Sequence, residues 1–148
     1  MIHALAVDRL TEWLTEVGVE HMMVEVGGVI RTRGSPPGAA WRLSLEHAGL
    51  PEQGAGRHIN LMNAALVHRM VRPIPVTIPA LPRTLGISVV AATASEASRQ
   101  ALLLMGANQE GKTLSEALDV DSAAKLVVKT PQGIEILYTT AMEPWFEP

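Results

Sequence analysis

The stretch HMMVEVGGVIRTRG, residues 21–34, restricts the fold more than any other part of the chain. Apolar side chains alternate up to Val26, the pattern of a half-buried strand. Two glycines then stand together where a strand would place bulk. Glycine adds no side chain to pack and loses more freedom on ordering than any other residue. A pair of them therefore marks a turn or bulge, or a place where something comes close to the backbone. The chain resumes as VIRTRG. Glu25, two positions before the pair, falls by alternation on the face opposite Val24 and Val26, where most carboxylates simply meet solvent.

The flanking sequence predicts a helix before this hairpin and strands after it. In ALAVDRLTEWLTEVG, Val7, Leu10, Leu14 and Val17 recur at steps of three and four, and Gly18 suits a C-terminal cap. SPPG signals a turn and WRLSLE alternates like a strand. Ile59, Met62, Leu66 and Met70 sit at helical spacing, which predicts a helix over residues 59–70. RPIPVTIPALPRT places four prolines between Pro73 and Pro82; that excludes a helix or a central strand and leaves an extended surface segment. GISVVAA reads as a short buried strand. TASEASRQALLLMG reads as a helix with Thr93 and Glu96 spaced as a capping box and Gly106 as its stop. GKTLSEALD adds a second short helix, and AKLVVKT, PQG and IEILYT close the chain as a hairpin. The whole, residues 1–148, reads as a single α+β domain: an antiparallel β-sheet with helices packed on one side.

Composition removes several classes of function. The chain has 148 residues, long enough to bury a real core, yet only three Trp, one Tyr and one Phe. That core is therefore built from Val, Leu, Ile, Ala and Met. A net charge of −3 with scattered basic residues gives no electrostatic footprint for nucleic acid or an acidic membrane. The absence of cysteine excludes disulfides, thiol catalysis, cysteine–metal sites and an acylated lipoprotein cysteine. No apolar run reaches membrane-spanning length and the N-terminus lacks a signal-peptide pattern. The expectation is a soluble chain, cytoplasmic by default.

One motif is specific in form. GANQEGKT, Gly106 to Thr113, satisfies the phosphate-loop pattern, in which Lys112 would reach the outer phosphates and Thr113 would hold magnesium. The pattern needs a buried strand before it and an Asp ending a later strand, and a helical segment stands in front instead. A nucleotide binder through this loop remains the second alternative. The histidines show no metal-binding spacing, and Met is spread as ordinary packing.

AVDRLTEWLTEVGVEHMMVEVGGVIRTRG resembles the helix–strand segment of the FAD:protein FMN transferases, the ApbE-type flavin transferases. Their pattern is K-G-[YW]-A-V-D-R, a helix, a hydrophobic strand ending in G-G-E, then R-x-x-G. WRLSLE, ISVVAATASEASRQALLLMG and AKLVVKTPQGIEILYTTAMEPWF resemble further family segments in the same order. The resemblance implies a partial flavin-transferase-like domain, roughly the C-terminal half of a full member. It implies FAD and a magnesium ion as the cofactors, and transfer of FMN to a Thr or Ser of an acceptor protein.

Carried over residue by residue, the resemblance assigns Asp8, Glu25, Gly27 and Gly28 to flavin binding and His68, in HRMVRP, to catalysis. The departures are as informative. Ser98 and Leu102 stand at the family's Asp and Thr metal ligands, Val71 at the Asp after the histidine, His3 at the Lys and Val29 at the Glu. Ser98 keeps the position but not the carboxylate that magnesium favours. The resemblance thus implies an impaired transferase, with a non-catalytic flavin-binding or interaction remnant as the alternative. Open sheet edges predict a homo-oligomer or a completing segment.

Overall fold

Residues 2–36, 39–45, 57–70, 83–109 and 121–147 are described by the computed structural model. Helix α1 (Ile2–Glu16) leads into β1 (Met22–Val26) and β2 (Val29–Arg33). Then come β3 (Trp41–Ser44), β4 (His58–Leu61), β5 (Ala65–Met70), β6 (Arg83–Ala91), helix α2 (Ala94–Gln109), β7 (Ala123–Thr130) and β8 (Gly133–Tyr138). A 3-10 helix, Thr140–Trp145, follows β8. Six strands form one sheet in the order β1-β2-β5-β6-β7-β8, every neighbouring pair antiparallel. β3 and β4 form a separate two-stranded sheet.

Strand alternation divides the core in two. On the first face, Val24, Val29, Val67, Ile87, Val89 and Leu126 meet Ala4 and Val7 of α1 and Ala94, Ala97 and Ala101 of α2. On the second face, Leu66, Val90 and Ala123 meet Ile59 and Leu61 of β4 and Met142 and Phe146 near the C-terminus. Both α-helices pack on the first face, so the α+β reading holds; the small sheet covers the other. Alanines at the α2 contact let the helix sit close to the strands, and larger side chains there would overpack by roughly 1–3 kcal/mol.

The glycine pair is a turn. Val26 pairs with Val29, and Gly27 and Gly28 have φ +56° and +79°. Two central residues at positive φ make the type I′ turn whose twist suits a two-residue hairpin. Something also approaches the backbone there: a Cβ on Gly27 would lie 2.5 Å from His3 Nδ1.

Four expectations are corrected. The segment 59–70 is not a helix but β4, a bend and β5. Asn63 takes φ 49°, a left-handed conformation that Asn tolerates, and breaks the run. Met62 and Met70, two of the residues that made the helical stripe, are exposed. β6 begins at Arg83, directly after Pro82, so the last two residues of the proline-rich segment enter a central strand. The rest of that segment, residues 72–82, lies outside the described residues, as does the helix expected over 111–119. α1 buries Ala4, Val7, Asp8 and Thr11, while Leu10 and Val17 are exposed. The buried stripe is rotated from the apolar one because two of its members are polar. Finally, α2 continues past Gly106 to Gln109.

Smaller details agree with the sequence. α1 closes as a Schellman motif, with Val19 N donating to Leu14 O and Gly18 N to Thr15 O. Thr93 Oγ1 accepts from Glu96 N at 3.2 Å. The capping box closes only by half, because the Glu96 carboxylate turns to Arg99 and Gln100. Those two bonds, Arg99 first, hold its pKa at about 2.

The glycine geometry sets a stability order. Gly28→Ala places its Cβ at an ordinary 3.6 Å from His68 O and should lose about 1 kcal/mol, the cost of a left-handed non-glycine residue. Gly34→Ala, with φ +64°, would press its Cβ to 2.5 Å from the Glu20 carbonyl and should lose more. Urea midpoints of the two variants, with equal slopes, check the order.

Candidate functional site

The site grows from one carboxylate. Asp8, on the inner face of α1, is 8% exposed and both its oxygens are committed. Oδ1 accepts from Arg31 Nη1 of β2 at 2.8 Å and from Ala94 N at 2.9 Å. Oδ2 accepts from Ser95 N at 2.9 Å and from Ser95 Oγ at 2.7 Å. Asp8 therefore joins α1, the glycine hairpin and the first turn of α2, where free N–H groups and the helix dipole favour a negative charge. Burial pushes its pKa up, but the Ser95 hydroxyl and the N–H groups of Ser95 and Ala94, with Arg31, outweigh burial and leave it below the usual aspartate value.

Beside the glycine turn lies a cleft of ≈ 460 Å³. Ile2 and His3 of α1, Gly27 and Val29 of the hairpin, and Val67, His68 and Arg69 of β5 form its wall. β5 sits there because His68 N donates to Gly28 O at 3.2 Å, which ties the turn to the strand. Arg69 shares the first face with Val67, and its Nη2 donates to Ser98 Oγ of α2 at 3.0 Å. Ser98 is fully buried. Arg69 Nε is also buried and has no hydrogen-bond partner among the described residues.

The residues singled out in the sequence do not all converge. Gly27 is in the cleft wall and Gly28 next to it carries the bond to His68. Ser98 lies behind the wall, under Arg69. Asp8 is engaged in the helix joint. Glu25 is exposed on β1, on the face away from α1, as alternation predicts. The His68 imidazole also turns to the second face, where Nδ1 and Ser88 Oγ are 2.7 Å apart. There His68, Ser88 and the buried Lys125 stand in register across β5, β6 and β7. The first half of the phosphate-loop pattern, Gly106 to Gln109, is α2, and Glu110–Thr113 fall outside the described residues.

Two features of the candidate site escaped the sequence reading. Arg69 was hidden by the helix assigned to its segment; alternation of Leu66, His68 and Met70 was the available signal. The row of His68, Ser88 and Lys125 interrupts otherwise apolar strands, but only the register brings it together.

Comparison with known proteins places this geometry. Residues 2–69 match the model of the ApbE family. A search of curated protein sequences finds no match. Among solved structures, the flavin transferase ApbE from Vibrio cholerae is similar at 22% identity and TM-score 0.73, over 97% of this chain and 50% of that one. The apo flavinyl transferase ApbE of Pseudomonas stutzeri is similar at 20% identity and TM-score 0.78, over 99% of this chain and 49% of that one. The ApbE protein from Thermotoga maritima shows 17% identity and TM-score 0.73, over 98% and 51%. The resemblance read from the sequence therefore holds, in family pattern over residues 2–69 and in fold over nearly the whole chain. The chain spans about half the length of the structures it matches. No helix among the described residues is long and apolar enough to cross a membrane.

The Asp8 joint makes an acid-dependent contribution to stability. Because its folded pKa is lowered, the contribution is complete above the ordinary aspartate value of about 4 and disappears as pH falls through the folded value. Asp8→Asn should lose roughly 2–3 kcal/mol at neutral pH, since charge-assisted bonds to Arg31 and to the helix terminus go together. The loss should shrink toward pH 3. Denaturant melts of both proteins across that range measure it.

Proposed function

We propose that this chain is a flavin-nucleotide-binding domain of the flavin-transferase type, with the cleft beside Gly27 as its binding site and a slow transfer step. The observation that carries the reading is the cleft itself, walled by the glycine hairpin inside the segment that matches the ApbE family. A type I′ turn exposes backbone without a Cβ, so a flat ligand can lie against it. Val29 and Val67 supply apolar surface and Arg69 a positive charge. Asp8 acts at one remove, fixing the hairpin against the start of α2. Glu25 faces away from α1 and would meet a ligand only where it extends past the edge strand.

The donor set does not fit a hard divalent cation. Magnesium takes oxygen ligands, mainly carboxylates. Ser98 presents one buried hydroxyl already bonded to a guanidinium, and Leu102, one turn on, is 44% exposed and has no donor atom. Among the described residues no three His, Cys, Asp or Glu side chains group as ligands. No step is routed through a metal. Transfer of FMN to an acceptor hydroxyl forms a new O–P bond and breaks the pyrophosphate bridge, releasing AMP, while the hydroxyl proton goes to a base. His68, held by Ser88, is the group that takes that proton from an acceptor arriving on the second face. Without a metal contact to neutralise charge developing on the phosphate, the step loses several kcal/mol of stabilisation, hence on the order of a thousandfold or more in rate.

FAD should bind to the purified chain with micromolar to millimolar affinity, read as quenched or polarised flavin fluorescence. Incubation with a Thr-bearing acceptor peptide should give only faint covalent flavin on a denaturing gel. No FAD binding at millimolar concentration would refute the reading. Brisk, magnesium-dependent labelling would refute the slow step. A non-catalytic binding domain is the reading favoured by the Arg69–Ser98 contact alone, and a wholly dark gel with FAD binding retained would select it.

A further inference from the structure

We infer that Arg69 is an anion-binding residue, which takes the phosphoryl oxygens of the bound nucleotide directly and is held in place for this by Ser98. The inference rests on the flavin-nucleotide reading of the cleft and adds the group that would recognise the phosphates.

Arg69 is a half-buried guanidinium without a counter-charge among the described residues. The ion pairs of the described residues join Arg31 to Asp8, Arg42 to Glu147 and Arg99 to Glu96; none includes Arg69. Among the described residues its guanidinium donates to a neutral hydroxyl, Ser98 Oγ, at 3.0 Å. Nε is cut off from solvent and has no acceptor among the described residues. A guanidinium carries five N–H donors in a fixed fork, and leaving a buried one unpaired costs about 1–3 kcal/mol. A positive charge away from water costs more unless an anion answers it. These deficits coincide at the wall of the cleft rather than inside the packed core, and the fork geometry matches a phosphate with two parallel bonds.

Ser98 explains why the fork stays there. α2 brings it, fully buried, beneath β5, where its hydroxyl can accept from Arg69. A carboxylate at that position would neutralise Arg69 and remove its attraction for an anion. A hydroxyl positions the charge and leaves it available. The same cation would repel a divalent metal at this point, so phosphate binding here is independent of metal.

The test compares riboflavin, FMN, FAD and inorganic pyrophosphate by titration calorimetry in EDTA, using the full chain. FMN and FAD should bind at least tenfold more tightly than riboflavin. Arg69→Gln should bring both down to riboflavin's affinity and leave riboflavin unchanged, while Arg69→Lys should keep part of the difference. Ser98→Ala should weaken FMN several-fold without affecting riboflavin, and Ser98→Thr should restore it. Equal binding of FAD by wild type and Arg69→Gln overturns the inference, as does FAD binding that appears only when magnesium is added. If the Gln variant fails to fold, the ¹⁵Nε–H resonance of Arg69 in the wild type decides instead: millimolar pyrophosphate should shift it, and an unmoved resonance refutes the role. Failure of all flavins with a clear pyrophosphate response would remove the flavin reading and leave the anion site standing.

Discussion

One buried carboxylate organises the layer of helices. Asp8 of α1 accepts four hydrogen bonds from two other elements, β2 and α2, and each partner alone would leave a costly group in a dry environment. The N-terminus of α2 needs an acceptor, Arg31 needs a counter-charge, and a lone aspartate on the inner stripe of α1 would need both. Their mutual satisfaction sets α1 against α2 and fixes the hairpin beneath them. It also explains why α1 buries Asp8 and Thr11 in place of Leu10. Thr11 keeps its own hydroxyl satisfied inside the helix by donating to Val7 O at 2.7 Å.

From that joint the position of the cleft follows. The hairpin tip is pinned to β5 through Gly28 O, so Gly27, Val67 and Arg69 come to one wall. β5 also separates two chemistries by simple alternation. Arg69 goes to the helix side with Ser98, and His68 goes to the other with Ser88. On the reading proposed above, a nucleotide lying across the hairpin tip would meet charge recognition on one side of the sheet and the proton acceptor on the other, a separation that would favour binding over turnover.

The elements bounded by strong turn and cap signals were legible from sequence. The glycine hairpin, the Gly18 cap, the Thr93 helix start and the β7–β8 hairpin all follow from local patterns that the tertiary structure leaves in force. The rest was hidden for identifiable reasons. Ala65, Leu66 and Val67 are all buried because β5 is covered on both faces, so its periodicity is that of a continuous apolar run. Such a run does not distinguish strand from helix, and the methionines flanking it completed a helical spacing by chance. On α1 the buried polar stripe could be recognised only once its partners, Arg31 and the first turn of α2, were known. In the site, the glycine pair and Ser98 were visible through motif and resemblance. Arg69 was not, since its meaning depends on the helix that lies above it and not on its neighbours in sequence.

The small β3–β4 sheet is held from the far end of the chain. Ile59 bridges to Phe146, Glu147 N donates to His58 O at 3.0 Å, and Arg42 pairs with the Glu147 carboxylate at 2.8 Å. Met142 and Phe146 supply part of the apolar packing between that sheet and the large one. The small sheet thus waits for residues 140–147. During synthesis the helix-covered face can condense while these residues are still inside the ribosome, but the opposite face cannot be sealed until Met142 and Phe146 have emerged. Leu66, Val90 and Ala123 stay wetted until then, and a nascent chain stalled before that point would present that greasy surface to chaperones.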